Sequence, residues 1–411
     1  PTGIRWNGGN PPTLASANSY SLTGQVFNLV TSDGGSTWYG YEEVNNTLLS
    51  GNLRLFSWGH NQQGELGQNN SNPAQYSSPT QLPGNWARLS SSGGGGSNQG
   101  AIKPDGTLWL SGTNGAGQLG QNTQGSSVSS PVQVPGTTWS RVGVGGFTIA
   151  VKTDGTLWSW GSNSYSGLGQ NNKTQYSSPV QIPGTTWSTA EYGIAGGGTV
   201  GSALKTDGTL WVWGRNFNGG LGQNSRAEFS SPKQIPGSWA SAQASCEHTS
   251  FRVNTSGEMY AMGLNNMGQL GDNSTTNRSS PVQIPGTTWA ATNPKGGNAY
   301  WTGVIKTDGT LWVWGSNGAG ALGQNQAYAQ LKGTSSPVQV PGTTWHEVGG
   351  GQDGTVLATK TDGTAWAWGF NYGGASGVNN NIQYSSPVQI PGTDWVKINV
   401  HSASVFGLKS S

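Results

Sequence analysis

The chain has 411 residues, of which 32% are hydrophobic, and this fraction disfavours one large helical or doubly wound core. Charged residues make up only 9%, whereas about a quarter is usual for a soluble domain, so neutral polar groups must provide solubility. The 69 glycines and 20 prolines occur together with 20 tryptophans, and so many large rings favour an ordered, all-β chain over a disordered one.

Charge and cysteine content exclude several functions. The formal net charge is +2 and no basic run follows a helical pattern, so nucleic-acid binding is not expected. Cys246 is the single cysteine, which excludes an intrachain disulfide and a cysteine-based zinc site. No stretch approaches the roughly 18 apolar residues of a membrane helix, and residues 1–20 are too polar for a secretory signal, so no membrane span is predicted.

Residues 1–50 differ in texture from the rest of the chain and are predicted to form a small β-rich attachment segment. Within it, Val26–Thr31 and Thr37–Tyr41 flank the sequence Ser32-Asp33-Gly34-Gly35, which predicts a β-hairpin with a tight glycine turn.

Part of this segment resembles structural proteins of aquatic tailed bacteriophages, including tail fibres. The resemblance is carried by Trp6-x-Gly8-Gly9, Pro12-x-Leu14 and Asp33-Gly34-Gly35-Ser36-Thr37-Trp38-Tyr39-Gly40. It implies that residues 1–50 attach the remainder of the chain to other virion proteins.

Residues 51–411 are built from an internal repeat, the sequence signature of a repeat architecture. A Pro-Gly dipeptide followed within three residues by Trp occurs seven times, at intervals of 48 to 56 residues, with its glycine at Gly84, Gly136, Gly184, Gly237, Gly286, Gly342 and Gly392. A second unit lies between these dipeptides and is clearest as Lys152–Gly161, continuing through Asn163 to Leu168-Gly169-Gln170-Asn171.

Each repeat predicts four short strands, since alternating stretches are bounded by glycine, proline or asparagine. In one repeat the strands are Trp139–Val144, Thr148–Lys152, Thr156–Trp160 and Pro179–Ile182. An Asp-Gly pair between the second and third strands predicts a type I′ hairpin, in which both central residues have positive φ. The aspartates of this pair are Asp105, Asp154, Asp207, Asp308 and Asp362.

Seven four-stranded units of about 50 residues predict a seven-bladed β-propeller, because a solenoid more often has shorter repeats and distinctive end caps. The last copy stops where the others begin their Asp-Gly turn, and the first copy starts beyond that turn. One blade is therefore predicted to be split, with two strands from Val396–Lys409 and two from the stretches near Leu53–Trp58 and Pro79–Leu82.

The pattern Leu-Trp-x-Trp-Gly-x-Asn-x-x-Gly-x-Leu-Gly, with Trp and Thr-Asp-Gly downstream, resembles the regulator of chromosome condensation (RCC1) repeat over about residues 51–411. Met259-Tyr260-Ala261-Met262 and Ser376 depart from the pattern. The resemblance implies a propeller, and eukaryotic members act as guanine nucleotide exchange factors that contact a small GTPase and nucleosomes. This chain lacks the basic tail and the charge suited to that use, so exchange activity is the least favoured hypothesis.

Most recurring residues are interpreted as structural. Seventeen of the 20 tryptophans occupy repeat positions, which predicts a core between blades, and only Trp6, Trp38 and Trp301 lie outside the scheme. The recurring asparagines Asn61, Asn163, Asn265 and Asn317 are interpreted as turn formers. A recurring lysine is interpreted as part of a solvated rim: it stands two residues before the hairpin aspartate at Lys103, Lys152, Lys205, Lys306 and Lys360, and Lys409 occupies the same position in the last copy.

Loop residues that vary between copies are the candidates for binding. Four copies place an aromatic residue before Ser-Ser-Pro, namely Tyr76, Tyr176, Phe229 and Tyr384. Within the loop after Trp-Gly-x-Asn, the variable residues include the aromatics Tyr165, Phe217 and Tyr372. Aromatic side chains on neutral loops suit carbohydrate or protein surfaces, and the alternative interpretation is that they anchor their own loops.

Catalysis has little support in the sequence. The four histidines, His60, His248, His346 and His401, lie in different copies without a metal-binding partner at close spacing, and Glu42-Glu43 is the only adjacent acidic pair. We therefore expect no enzyme activity, no cofactor and no metal.

Two functions stay open at this point. The first is a virion structural or appendage protein, such as a phage fibre or spike, that contacts a neighbouring protein or the host surface. The second is a bacterial surface or secreted adhesin or lectin that binds glycans. Composition does not separate them, and assembly as a homo-oligomer also stays open.

Overall fold

The computed structural model describes residues 19–22, 25–31, 38–42, 52–71, 75–92, 96–196, 198–242, 249–290, 295–296, 300–326, 332–351, 354–401 and 403–410. Contacts divide the chain into two compact units, Pro1–Asn52 and Leu53–Ser411. The described residues form strands and turns, with helical structure limited to two short 3₁₀ turns at Gly318–Gly320 and Tyr372–Gly374. None of their helices is long and apolar enough to cross a membrane.

The first unit contains a three-stranded antiparallel sheet. Its strands are β1 (Ser19–Leu22), β2 (Gln25–Thr31) and β3 (Trp38–Glu42), in the order β1-β2-β3. Thr31 pairs with Trp38 in the ladder of β2 and β3, which confirms the predicted hairpin. The glycine turn itself, residues 32–37, lies outside the described residues.

The second unit follows the repeat seen in the sequence. Its strands are β4 (Leu53–His60), β5 (Gln75–Trp86), β6 (Arg88–Leu89), β7 (Ser91–Ser92), β8 (Asn98–Ile102), β9 (Leu108–Asn114), β10 (Gly125–Val134), β11 (Trp139–Val144), β12 (Phe147–Lys152), β13 (Leu157–Gly161), β14 (Tyr176–Ile182), β15 (Ile194–Gly196), β16 (Val200–Leu204), β17 (Leu210–Gly214), β18 (Phe229–Ile235), β19 (Thr249–Val253), β20 (Met259–Gly263), β21 (Arg278–Gln283), β22 (Lys295–Gly296), β23 (Trp301–Ile305), β24 (Leu311–Ser316), β25 (Gly333–Val340), β26 (Trp345–Gly350), β27 (Thr355–Lys360), β28 (Ala365–Gly369), β29 (Tyr384–Ile390), β30 (Trp395–His401) and β31 (Ser404–Lys409).

These strands form seven antiparallel sheets, which confirms the predicted seven-bladed propeller. We number the blades by their strands: blade 1 (β6, β8, β9, β10), blade 2 (β11–β14), blade 3 (β15–β18), blade 4 (β19–β21), blade 5 (β22–β25), blade 6 (β26–β29) and blade 7 (β30, β31, β4, β5). Blade 2 gains β7 as a parallel edge strand. Isolated antiparallel bridges join Trp187 to Lys205, Trp239 to Asn254 and Trp289 to Lys306, and in blade 4 residues 243–248, before β19, lie outside the described residues.

Blade 7 closes the ring with both ends of the propeller chain, as predicted. Strand β31 pairs with β30 on one side and β4 on the other, with Val405 opposite Trp58. The Ser404 hydroxyl also bonds to the His60 carbonyl at 2.9 Å and to the buried Glu65 carboxylate at 3.1 Å. The closure is therefore noncovalent, formed by a full antiparallel ladder and by polar contacts at its end.

The Asp-Gly turns differ from the prediction of type I′. Gly155 has a φ of +76°, but Asp154 is absent from the positions with positive φ. The Lys152 amide donates to the Thr156 carbonyl at 2.9 Å, and the Asp154 carboxylate accepts from the Thr156 amide at 2.9 Å and from its hydroxyl at 2.7 Å. The loop thus has three residues and ends on a left-handed glycine, because the aspartate side chain stabilises a turn of ordinary hand.

Indole rings fill the space between blades. Trp213 of blade 3 is fully buried and donates its Nε1 hydrogen to the Gly167 carbonyl of blade 2 at 2.7 Å. Equivalent indoles at Trp58, Trp160, Trp314 and Trp368 make the same bond to the preceding blade at 2.8 to 3.0 Å. The prediction of a tryptophan core is confirmed, and Trp301, which the repeat scheme left out, is buried in it as well.

The recurring lysines are more than a solvated rim, because their ammonium groups lie over tryptophan rings. Lys152 Nζ lies 4.9 Å from the ring centroid of Trp139 and 4.4 Å from that of Trp158. The same arrangement holds for Lys103, Lys205, Lys306, Lys360 and, with Phe56 as one ring, Lys409. Such cation–π contacts contribute roughly 0.5 to 2 kcal/mol each.

Antiparallel strands place successive connections at opposite ends of a blade. We call the loop face the end that carries the connections between third and fourth strands, whose described residues are 61–71, 115–124, 162–175, 215–228, 264–277, 317–326, 332 and 370–383. We call the hairpin face the opposite end, which carries the Asp-Gly turns and the Pro-Gly turns.

Candidate binding face

One buried asparagine organises each connection on the loop face. Asn163 accepts a hydrogen bond from the Leu168 amide at 3.1 Å and donates to the carbonyls of Asn172 and Thr174, both at 2.9 Å. Equivalent asparagines bond in a similar way at Asn61, Asn114, Asn216, Asn265, Asn317 and Asn371. These bonds support the turn-forming interpretation and fix where the intervening loop residues are presented.

The large apolar side chains that remain exposed lie on this face. Among the residues that the structure describes, they are Tyr165 (40% exposed), Phe217 (67%), Met267 (47%), Tyr372 (50%) and Ile382 (60%). All five fall in connections between third and fourth strands. Single exposed apolar residues are common on protein surfaces, but their restriction to one kind of loop makes this face the candidate contact surface.

Tyr165 and Phe217 come together across the junction of blades 2 and 3. The Arg215 guanidinium carbon lies 4.6 Å from the ring centroid of Tyr165 and 5.2 Å from that of Phe217. The neighbouring Glu228 accepts from the Ser166 hydroxyl at 2.8 Å and pairs with Lys173 at 2.9 Å. We call Tyr165, Arg215 and Phe217 the aromatic–arginine patch.

Tyr372 belongs to a second aromatic group at the junction of blades 6 and 7. Its ring stacks on Phe370 with centroids 6.2 Å apart and planes at 13°, and it lies 5.7 Å from the His60 ring. The structure therefore brings two of the three predicted loop aromatics together and places the third elsewhere on the same face.

The four aromatics before Ser-Ser-Pro are placed differently. Tyr76, Tyr176, Phe229 and Tyr384 are half-buried and pack against the hydrophobic clusters of the blades. Tyr76 donates its hydroxyl hydrogen to the Asn70 side chain at 3.0 Å, while the hydroxyls of Tyr176 and Tyr384 accept from Asn172 at 3.2 Å and Asn380 at 2.9 Å. These contacts favour loop anchoring, and a binding role for these four residues stays a prediction.

A charged cluster at the ring centre was not anticipated from the sequence. Glu191 pairs with Arg141 at 3.1 Å and with Lys397, and Lys397 Nζ also lies 3.7 Å from Glu347. The Tyr192 hydroxyl donates to Glu347 at 3.1 Å. Together these groups line one small cavity. Arg141, Glu347 and Lys397 each stand two residues after a Pro-Gly tryptophan, a recurrence that could have indicated the cluster.

Burial and the charges of the cluster shift the pKa values of several of its members. Burial would raise the pKa of Glu191, but the charges of Lys397 and Arg141 outweigh it and lower the pKa to about 2. Burial would lower the pKa of Lys397, but Glu191 and Glu347 raise it above its usual value. Burial, followed by the charge of Glu347, raises the pKa of Tyr192 well above its usual value. The Glu191 carboxylate is therefore held ionised, which suits a structural ionic link across several blades.

The expected absence of catalytic machinery stays a prediction. Among the described residues no three His, Cys, Asp or Glu side chains are grouped so that they could hold a metal ion. His346 is exposed and His401 is buried. Other residues singled out from the sequence lie outside the described residues or have undescribed side chains, namely Trp6, Trp38, Glu42, Glu43, Cys246 and His248.

Comparison with known families and structures identifies the class of the propeller. Residues 154–200, 207–251 and 256–290 match the family model described as the regulator of chromosome condensation (RCC1) repeat. These three stretches therefore carry RCC1 repeats, and they lie within the seven-bladed β-propeller. No curated protein sequence matched the chain.

Solved structures share this fold. Human WBSCR16 superposes with a TM-score of 0.74 at 20% identity, covering 87% of this chain and 99% of that one. Yeast RCC1 (Prp20), in its complex with Kap60, gives 0.74 at 17% identity, with 88% and 89% covered. Prp20p from Saccharomyces cerevisiae, described with its binding to Gsp1p and histones, gives 0.73 at 17% identity, with 88% and 92% covered. At these identities the likeness establishes the fold, and the resemblance of residues 6–40 to phage proteins stays a prediction.

Proposed function

We propose that this protein is a non-enzymatic binding protein whose propeller contacts another protein through its loop face. The observation that carries the proposal is the restriction of the exposed large apolar side chains to that face. The aromatic–arginine patch has the composition typical of interface hot spots, in which Tyr and Arg are enriched. A protein-interaction role also agrees with the RCC1-like fold, whose yeast example was solved with Kap60 bound.

The partner can be found by site-specific crosslinking. A photoreactive phenylalanine analogue at Phe217 should crosslink to a defined protein in native extracts of the source. The same analogue at Thr287, which is exposed on the hairpin face, is the matched control and should not. Combining Tyr165→Ser and Arg215→Ser with the analogue at 217 should abolish the product, because these residues flank the crosslinking position. Equal crosslinking from both faces, or a product indifferent to the two substitutions, would contradict the proposal.

We further propose that this contact occurs on a virion, where residues 1–50 attach the propeller to other virion proteins. The support is the phage-like sequence of that segment and its separation from the propeller as a compact unit of its own. Electron microscopy of purified particles with a propeller-specific gold-labelled antibody tests this setting. Label on particles supports it, whereas label confined to bacterial cell surfaces would favour the adhesin alternative.

A further inference from the structure

Two equivalent surface grooves open between adjacent blades. The groove between blades 2 and 3 has a volume of about 310 Å³, and the one between blades 5 and 6 about 350 Å³. Each is lined by nine residues of the same sequence of types in chain order: Gly-Gln-Asn, Pro, Trp, Lys, Trp and Ser-Pro. At the first groove the lysine and its two tryptophans are Lys205, Trp187 and Trp211.

The sequence has the same nine residues at two further junctions, between blades 7 and 1 and between blades 1 and 2. The other three junctions depart from the set. Between blades 3 and 4, Asn254 replaces the lysine and Tyr260 the second tryptophan. Between blades 4 and 5, Asp272 replaces the glutamine. Between blades 6 and 7, Val378 replaces the glutamine and Phe56 the second tryptophan. The ring therefore has four intact sets and three altered ones, which serve as internal controls.

The lysine of an intact set is available to an external anion. Lys205 Nζ lies 4.4 Å from the Trp211 ring centroid and forms no ion pair with any carboxylate of the described residues. The nearby Asp207 uses one carboxylate oxygen for the Thr209 amide at 2.9 Å and for the Thr209 hydroxyl at 2.7 Å. The Lys205 ammonium group is held in place by aromatic rings, and no carboxylate of the described residues neutralises its charge.

The remaining lining groups suit a sugar ring. Trp211 is half-buried, so part of its indole is open to the groove, and indole surfaces pack against the C–H faces of pyranose rings. Asn171 and Ser231 bring an amide and a hydroxyl group to the same groove, as hydroxyl-rich ligands require, whereas the Gln170 amide donates to the Ser159 hydroxyl and the Val180 carbonyl, both at 3.3 Å. An ammonium beside an aromatic surface adds a preference for a negatively charged substituent.

We propose that the four intact grooves bind sugar rings that carry a carboxylate, as found in acidic polysaccharides, with the carboxylate directed to the lysine. Four like sites on one ring allow a repeating polymer to bind with avidity far above that of one site. The proposal concerns the grooves and is independent of the protein contact proposed for the loop face.

Calorimetric titration with trigalacturonate tests the ligand chemistry. We expect about four bound trisaccharides per propeller, one for each intact set. The fully methyl-esterified trisaccharide has the same rings without charge and should bind about tenfold or more weakly, and added salt should weaken the acidic form. The proposal would be overturned if the ester bound as tightly as the acid, or if only one trisaccharide bound per propeller. It would also be overturned if a proline-rich peptide, titrated as a competing ligand, bound more tightly than the uronate.

Matched substitutions locate the sites. Lys205→Met should lower the stoichiometry from four to three, whereas Lys306→Met, in the junction that contains Asp272, should leave it at four. Both variants remove the same kind of cation–π contact, so their folding stabilities should change alike. The pair Asn254→Lys and Tyr260→Trp completes a fifth set and should raise the stoichiometry to five. An unchanged stoichiometry in the Lys205 and Asn254/Tyr260 variants, or loss of binding on Phe217→Ala, would also overturn it.

Discussion

Replacing Trp213 by phenylalanine tests whether indoles join neighbouring blades. The side chain is fully buried, and its Nε1 hydrogen bond to the Gly167 carbonyl is the polar link between blades 2 and 3 at this position. Phenylalanine keeps an aromatic ring but removes the donor. The carbonyl would then be left without its partner in a dry site.

The magnitude follows from two costs. An unsatisfied buried carbonyl costs about 1 to 3 kcal/mol. The smaller ring leaves unfilled space, which adds about 1 to 2 kcal/mol. We therefore expect the free energy of unfolding to fall by about 3 kcal/mol. Trp211 stands two residues earlier on the same strand but is half-buried, and its Nε1 donates to the Thr209 hydroxyl at 3.0 Å. Trp211→Phe should cost about 1 kcal/mol or less, because water can replace that bond.

Urea unfolding followed by circular dichroism measures both variants, and equal m-values would show that the same transition is compared. If Trp211→Phe destabilised the protein as much as Trp213→Phe, the inter-blade hydrogen bond would not be the source of the difference. If neither variant changed stability, the indole core would not hold the blades together.

Three further predictions follow from the same geometry. Gly201→Ala should lower the free energy of unfolding by about 1 to 3 kcal/mol, because a Cβ there would lie 2.4 Å from the Trp213 ring. In urea unfolding, the loss in the double variant with Trp213→Phe should be smaller than the sum of the two single losses. Full additivity would contradict this. Deleting Ser404–Lys409 should abolish cooperative unfolding, since it removes β31, the strand that joins β30 to β4, and the ring opens; an unchanged thermal midpoint would argue against closure. Glu191 has its pKa lowered from 4.5 to about 2, so its contribution is present above about pH 4.5 and is lost as the pH falls towards 2. Plots of the free energy of unfolding against pH for wild type and Glu191→Gln should therefore converge by about 1 kcal/mol over that window. This value is reduced for solvent screening because the Glu191 side chain is 41% exposed. Parallel plots would refute the prediction.

The local sequence and its repeat were sufficient to predict the strands and the closed ring of blades. The alternation in β12 and β13 is a property of neighbouring residues, and a fixed repeat length carries each strand to an equivalent place in the next blade. The turn type was predicted wrongly at Asp154, because its side-chain hydrogen bonds to Thr156 select among turns that the Asp-Gly pair alone leaves open.

The sequence only partly distinguished exposed contact candidates from aromatic residues that anchor their own loops. Tyr165 and Tyr176 lie in or next to the same connection and are both aromatic, yet the first is exposed and the second is anchored by Asn172. Packing against the blade decides between them. The charged cluster is harder still to predict, since Glu191 and Lys397 are 206 residues apart in the chain.

The sequence by itself determined the number of blades, the closure by the chain ends and the residue types at every equivalent position, because periodic patterns depend only on the order of residues. Tertiary structure decided which equivalent residues differ in role. Burial and the proximity of a neighbouring blade are set by the closed ring, so they determine which lysine lacks an acidic partner, which aromatic ring stays exposed and that the Glu191 carboxylate is held ionised.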